Sequence, residues 1–456
     1  MRLILVAAVA ACGGSAHPVT TVKPGADGNG AHKDQVAALV QPYVDAQITP
    51  AIVIGLYDAG HSEIYGFGKQ ADGAVPNGNT LFEIGAVTQI YTATLLADAV
   101  QKREIALDTE LSELVPAGVT VPSTQGKNIQ LGQLATHTSG LPPQPPSLVR
   151  LGTRDDPYGR YTEDALYADL TGGSLHAVPG TTVNESMFGY GVLGFVVGRK
   201  LKVGYQQAVT NRVLAPLALQ NTYFKVPDAA KSRRAIGTDL DLKPVPNWSW
   251  DAMAGAGGLV STAADQLAMI DAELDAFAGS KQTLRPAIKL TQEEQLPLTT
   301  GPNEGLGWDI DSEGRYWKSG STGGFRSFVG FDPKTRRGVV ILSASGVSLI
   351  EKIASDLYKS LAKEEVKPFK APPIDELAVN AGTYQLGEFK VVVAVKDNRV
   401  YITGQGEAPL RLIPLTDHEM WFEQQQSIVV FEKEGAKVVR AVFLVGANRL
   451  AAQRVD

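Results

Sequence analysis

Residues 82–95 read FEIGAVTQIYTATL. The segment has the form of a stretch built around a nucleophilic serine at the start of a helix, yet it puts Ala86 and Gln89 where that chemistry would sit. A four-residue spacing alone proves little, so the rest of the chain decides what these two residues mean.

At 456 residues with 44% hydrophobic content, the chain exceeds one ordinary domain and suffices for a sizeable core plus a second unit. Its 42 basic and 48 acidic residues give a net charge of −6, and no Lys/Arg-rich block stands out, which argues against a nucleic-acid partner. The one cysteine excludes an internal disulfide. Its setting, MRLILVAAVAAC, places Arg2 before a short apolar run that ends in small residues and Cys12. That is the form of a bacterial lipoprotein signal, in which Cys12 becomes the lipidated terminus; the alternative is an ordinary apolar start with an incidental cysteine. The run is too short to span a bilayer. The expectation is an exported protein, held to the membrane of a bacterial cell envelope through a lipid anchor.

The pattern divides the chain into five segments: a signal at 1–12, a Gly- and Pro-rich tether at 13–34, a large domain at 35–362, a linker at 363–373 and a small β domain at 374–456. In the large domain, Val36, Leu39, Val40, Tyr43 and Val44 mark a first helix, and AIVIGLYDAGHSEIYGFG reads as two strands around an Asp-Ala-Gly turn. The middle of the domain is mainly helical. Strands return in FRSFVGF and GVVILSAS, joined by DPKTRRG, and the stripe Ile350, Ile353, Leu357 and Leu361 marks a closing helix. Strands at both ends of a helical insert predict one antiparallel sheet with the helices gathered to one side, an α+β fold. KEEVKPFKAPP then stops the helix with charges and prolines, and the remainder of the chain is nearly all strand.

The segment around Ala86 resembles the nucleophile region of the serine β-lactamase and penicillin-binding-protein family, in particular its class C, esterase and D-aminopeptidase branch, where F-E-I-G-S-x-x-K opens a long helix. LATHTSGLP at 134–142, PGTTVNESMFGYGVLG at 179–194, AGGLVSTAADQLAMI at 256–270 and KSGSTGGFRSFVGFDPKTRRGVVILSAS at 318–345 resemble further segments of that family in the same order. The resemblance implies a β-lactamase-like domain, no cofactor, and catalytic positions at Ala86, Gln89, Glu185 and Lys318. Glu185 and Met187 fall where the family has the tyrosine and asparagine of Tyr-x-Asn, while Lys318, Ser319 and Gly320 keep the form of its Lys-Thr-Gly strand. Met187, Ser319, Gly320 and Ser321 are the implied substrate contacts, and the backbone N–H groups of Ala86 and Ser321 the implied oxyanion hole.

The chemistry of the substitutions is direct. A serine at a helix N-terminus sits where the dipole and free N–H groups favour developing negative charge, and a lysine three residues on lies on the same face to take its proton. Alanine has no nucleophilic atom, and the glutamine amide accepts no proton at physiological pH. Side-chain chemistry is removed while an anion site made of backbone needs no particular side chain. The reading is therefore a scaffold released from covalent catalysis, with a cleft for a peptide, a cell-wall fragment or a protein ligand. A rival reading is an active hydrolase of an ester, amide or β-lactam that uses Glu185 and Lys318 to activate water. A third is a vestigial cleft, with contacts made by the β domain. Thr88 points about 200° from the site on a regular helix, Ser139 reads as a turn cap, and Ser186 and His137 as framework residues. His61, His176 and His418 are scattered, and no H-x-H, HExxH or Cys/His cluster points to a metal.

If Cys12 is the lipidated residue, Cys12→Ser moves the protein from the membrane fraction to a soluble or unprocessed form. Fractionation left unchanged by the substitution contradicts the signal reading.

Overall fold

A computed structural model of the chain describes residues 28–278, 283–295 and 303–456. Cys12, His17 and most of the expected tether lie outside them. The last residues of that tether, 28–34, are not free of the domain: the Gly28 N–H donates to the Ile64 carbonyl, and the Ala31 and His32 N–H groups donate to Glu63.

Helix α1, Lys33–Asp45, is followed by strands β1, Ala51–Asp58, and β2, His61–Gly68. The turn between the strands is made by Ala59 and Gly60, both left-handed (φ 49° and 97°), so the two-residue loop follows the twist of the strands. β1 pairs on its other side with a strand nearly 300 residues later in the chain. The register Ile52↔Ser343 through Asp58↔Arg337 closes both ends of the domain into one sheet. With β5 (Asn303–Glu304), β6 (Asp309–Ile310), β7 (Tyr316–Ser321), β8 (Arg326–Asp332) and β9 (Arg337–Ser343), the sheet runs β2-β1-β9-β8-β7-β6-β5, antiparallel throughout. A separate two-stranded pair joins β3, Phe82–Glu83, to β4, Val260–Ser261.

The helices do not gather to one side of this sheet. Val53, Tyr57, Val340 and Leu342 pack into the large core made by the helical insert, whereas Ile52, Ile54, Leu56, Val339 and Ile341 alternate onto the opposite face. There α1 and the closing helix Ile350–Leu361 cover them through Val36, Leu39, Val40, Ile353 and Leu357. The uninterrupted apolar run AIVIGLY is the mark of a strand buried on both faces. Helix α2, Thr88–Gln101, is the axis of the insert, and every residue from Thr88 to Ala99 is buried. Other elements enclose it, and its buried polar side chains are bonded within the protein, Thr92 to the Gly255 carbonyl and Thr94 to the Ile90 carbonyl.

Past Leu361 the chain runs without helix or strand to a short helix at Ile374–Ala378, with Phe369 laid against Tyr43 at 4.7 Å between ring centroids. Eight strands between Gly382 and Arg454 then form a closed antiparallel barrel, sealed by the pairing of Tyr384 with Arg454 and of Gln385 with Gln453. Its interior is a packed core of Tyr384, Val400, Leu412, Met420, Val429 and Phe431. The barrel is joined to the large domain by Ile413 and Trp421, which enter the core behind the sheet, and by Glu423, which accepts from Arg326, Ser348 and the Trp421 indole.

Candidate active site

Ala86 lies in the tight turn Gly85–Val87 that opens α2, where backbone N–H groups precede the first intrahelical acceptors. Two glycines let strand β7 come down on this turn. At Gly320 a Cβ would overlap the Ile84 carbonyl oxygen and sit 2.9 Å from the Ala86 nitrogen; at Gly85, which is left-handed (φ 48°), one would lie 2.5 Å from the Ser321 nitrogen. The Ser327 hydroxyl donates to the Ile84 carbonyl at 2.7 Å and fixes the turn from below.

The direction of the Ser321 N–H follows from the ladder. Thr322 donates to Phe325 at 3.1 Å, so Thr322–Phe325 is a hydrogen-bonded pair of the β7–β8 hairpin, and the adjacent pair Ser321–Arg326 must be the non-bonded kind. Ser321 therefore turns its N–H away from β8 and toward Gly85 and Ala86. Strand β6 pairs with β7 only at Tyr316 and Trp317, which leaves the edge from Lys318 to Ser321 facing the turn. The Ser321 backbone thus lies beside the turn that carries Ala86.

The side-chain half is occupied differently. Gln89, the second residue of α2, is fully buried, and both ends of its amide are bound. The Ser186 N–H donates to His137 Nδ1 at 3.0 Å, which places the ring proton on Nε2, and Nε2 in turn donates to Gln89 Oε1 at 3.2 Å. Gln89 Nε2 donates to the Met187 sulfur at 3.4 Å. Two substituted positions thus satisfy each other. Burial, reinforced by the nearby Lys318 charge, holds His137 well below the ordinary histidine range, so the ring is neutral. Residue 137 is itself left-handed (φ 54°), which aims the ring at Gln89 rather than out of the loop.

Lys318 is 3% exposed and forms its ion pair with Asp309 at 3.4 Å rather than with Glu185. Burial opposes its charge, but Asp309, Glu185 and Glu304 together outweigh that and hold the ammonium charged above its usual range. Burial and then the Asp309 charge push the Glu304 carboxyl up to about 8, and burial raises Asp309 against the pull of Lys318. The two carboxyls are thus both raised, with the Lys318 charge opposing burial at each of them. Glu185 is exposed at the cleft rim, within electrostatic reach of the cluster but outside ion-pair distance of Lys318.

Among the other expected positions, Ser319 does not turn its hydroxyl into the cleft. On β7 it alternates with Lys318 and faces the sheet's opposite side, toward Glu351. Thr88 accepts from the Leu259 N–H at 3.1 Å, Ser139 from the Leu141 N–H at 3.3 Å, and Ser186 caps its helix by accepting from the Gly189 N–H at 2.9 Å. All three hydroxyls serve the backbone. Among the described residues no group of three or more His, Cys, Asp or Glu side chains is arranged to hold a metal. Sequence reasoning missed Glu304 and Asp309, which carry no motif. It also missed Glu83, buried beneath the turn and bonded to Arg234 at 2.7 Å and to the Trp248 N–H at 3.1 Å. The F-E-I-G segment contained that signal, since a carboxylate before a buried helix start needs a partner.

Residues 36–359 match the family model described as Beta-lactamase. Among curated proteins, penicillin-binding protein 4 of Amycolatopsis lactamdurans is 25% identical over 354 residues, covering 71% of this chain and 90% of its own length. A beta-lactamase of Lysobacter lactamgenus is 26% identical over 355 residues, 69% of this chain and 86% of its own. The D-alanyl-D-alanine-carboxypeptidase/endopeptidase AmpH of Escherichia coli (strain K12) is 26% identical over 293 residues, 61% and 74% respectively.

The neutral His137 carries a pH dependence of known sign. A histidine held below its unfolded value of about 6.5 contributes stability that is fully present above that pH and is lost as the pH falls below it. His137→Asn tolerates the left-handed backbone and removes the titration. Thermal melts of both proteins between pH 5 and 7.5 should show the variant destabilised by about 1–3 kcal/mol at pH 7.5 and by clearly less at pH 5. A gap that does not change with pH contradicts the neutral-ring assignment.

Proposed function

Taking as premise that the chain belongs to the beta-lactamase family, we propose that it is a member of this class C- and penicillin-binding-protein-like group of serine hydrolases that has lost covalent catalysis and keeps its cleft for binding. The observation that carries this reading is the closed contact between Gln89, His137 and Met187. A base is absent, and its place is filled by an amide whose donor and acceptor are both engaged. With Ala86 at the helix start there is neither a nucleophile nor a group to activate one. In a serine protease, loss of the nucleophile alone lowers turnover by about 10⁶.

The ligand we propose is a peptide or cell-wall fragment with a carbonyl or carboxylate oxygen to place against the Ala86 and Ser321 N–H groups. The names of the relatives, a penicillin-binding protein and a D-alanyl-D-alanine-carboxypeptidase/endopeptidase, support that chemical class. A protein ligand presenting the same groups fits the same proposal. The expected place of action is the bacterial cell envelope, with anchoring through Cys12. Water activation by Glu185 and Lys318 draws no support from the geometry: Lys318 is neutralised by Asp309, and the Glu185 carboxylate is solvated at the rim.

Restoring the lost groups tests the reading. Ala86→Ser alone supplies an oxygen without a base. Gln89→Lys alone buries an ammonium beside Lys318 and a thioether and should also destabilise the protein. Neither should hydrolyse a chromogenic ester or β-lactam, whereas the combination of both with Glu185→Tyr and Met187→Asn should do so measurably, a strongly non-additive outcome. Parental turnover that disappears in Glu185→Gln contradicts the proposal and establishes the water-activating alternative.

A further inference from the structure

The seam between the large domain and the barrel contains two arginines that, among the described residues, form no ion pair. The barrel hairpin that carries the first is made by Asp397 and Asn398, both left-handed (φ 50° and 58°), and it sets Arg399 against the loop between α1 and β1. There Arg399 donates to the Asp241 carbonyl at 2.8 Å and to Gln47 Oε1 at 3.0 Å. Arg411, on the neighbouring barrel strand and only 4% exposed, donates to the Leu240 carbonyl at 2.6 Å and to the Gln47 carbonyl at 3.1 Å. All four acceptors are neutral. Each guanidinium offers five N–H donors, and in both residues the buried Nε–H has no acceptor.

Both side chains line one cavity of about 280 Å³, walled also by Asp45, Gln47, Ala371 and Asn398. The carboxylates nearby are engaged elsewhere: Asp45 accepts from Gln41 at 2.7 Å, and Asp241 accepts from the Tyr401 hydroxyl at 2.9 Å. Among the described residues none comes within ion-pair distance of either guanidinium. Two like charges side by side, one of them buried and neither in an ion pair, form an arrangement that an anion in the adjoining cavity would stabilise.

We propose that this cavity is a binding site for a small oxyanion of the phosphate or carboxylate class, held between Arg399 and Arg411 and fastening the barrel to the large domain. The planar guanidinium fork matches two oxygens of such an anion, and the cavity is large enough for a phosphate with water around it. Burial and then the Arg399 charge lower Arg411 to about 10, outweighing the opposing pull of the Tyr401, Asp241 and Asp239 side chains. The site lies at the seam, apart from the cleft at Ala86, and does not depend on the function proposed for that cleft.

The test is calorimetric titration and thermal unfolding of the full chain with sodium phosphate, against sodium chloride at equal ionic strength, with an acetate arm to separate the two oxyanion classes. Phosphate, acetate or both should bind saturably and raise the Tm by about 2–4 °C over chloride. Arg399→Gln, at a half-buried position, should weaken that binding at least tenfold while leaving the fold intact, and Arg411→Gln should abolish it. If Arg411→Gln does not fold, Arg399→Gln decides alone. Equal effects of chloride and both oxyanions, or undiminished binding in Arg399→Gln, overturn the proposal.

Discussion

Strand β7 reaches the start of α2 only because residues 85 and 320 have no side chains, and the geometry of the cleft depends on that approach. Gly320 passes over the Ile84 carbonyl, Gly85 adopts a left-handed conformation under Ser321, and Ser327 holds the turn in place. Any larger residue at either glycine would push the strand off the turn. The approach rests in turn on the β1–β9 pairing, which brings the two ends of the domain into one sheet and so fixes β7 relative to the helical insert. This machinery is entirely backbone and is indifferent to whether residue 86 is serine or alanine. The fold and the backbone of this turn therefore do not depend on which side chain stands at residue 86.

The side chains around the turn form a closed set of contacts. A buried glutamine must satisfy both ends of its amide, and Gln89 does so with a neutral histidine on one side and a thioether on the other. Lys318 remains charged in a buried setting because Asp309, Glu185 and Glu304 lie close to it. The arrangement is electrically quiet, with the cation cancelled and the histidine neutral. What remains on the open side is the strand edge, the first N–H groups of the helix and the exposed Glu185.

Much of this was legible in the sequence, and the limits have physical causes. The β1–β2 hairpin, the closing helix and the all-β end follow from local turn chemistry and periodicity, which are properties of short windows. The cover on the second face of the sheet was also written locally, in the unbroken apolar run of β1, but the expectation of helices on one side passed over it. Closure of the barrel was not legible, because Tyr384 and Arg454 meet across the whole unit. Ala86, Gln89, Glu185 and Met187 are singled out in the sequence only by their places in ordered motifs. Glu304 and Asp309 stand in no motif, and only burial gives them a role. Ser319 was expected at the cleft, and strand alternation turns its hydroxyl to the other face. His137 was read as framework, but the interaction that matters, its bond to Gln89, depends on a left-handed backbone that no residue type announces.

The central claim is that no side chain in this cleft can form a covalent bond with a substrate carbonyl. The most direct measurement is the intact mass of the full chain after prolonged incubation with a penicillin and, separately, with a fluorophosphonate. The account predicts an unchanged mass with both reagents. A stoichiometric adduct on the parent protein, at Ser139, Ser186 or any other hydroxyl, would contradict it.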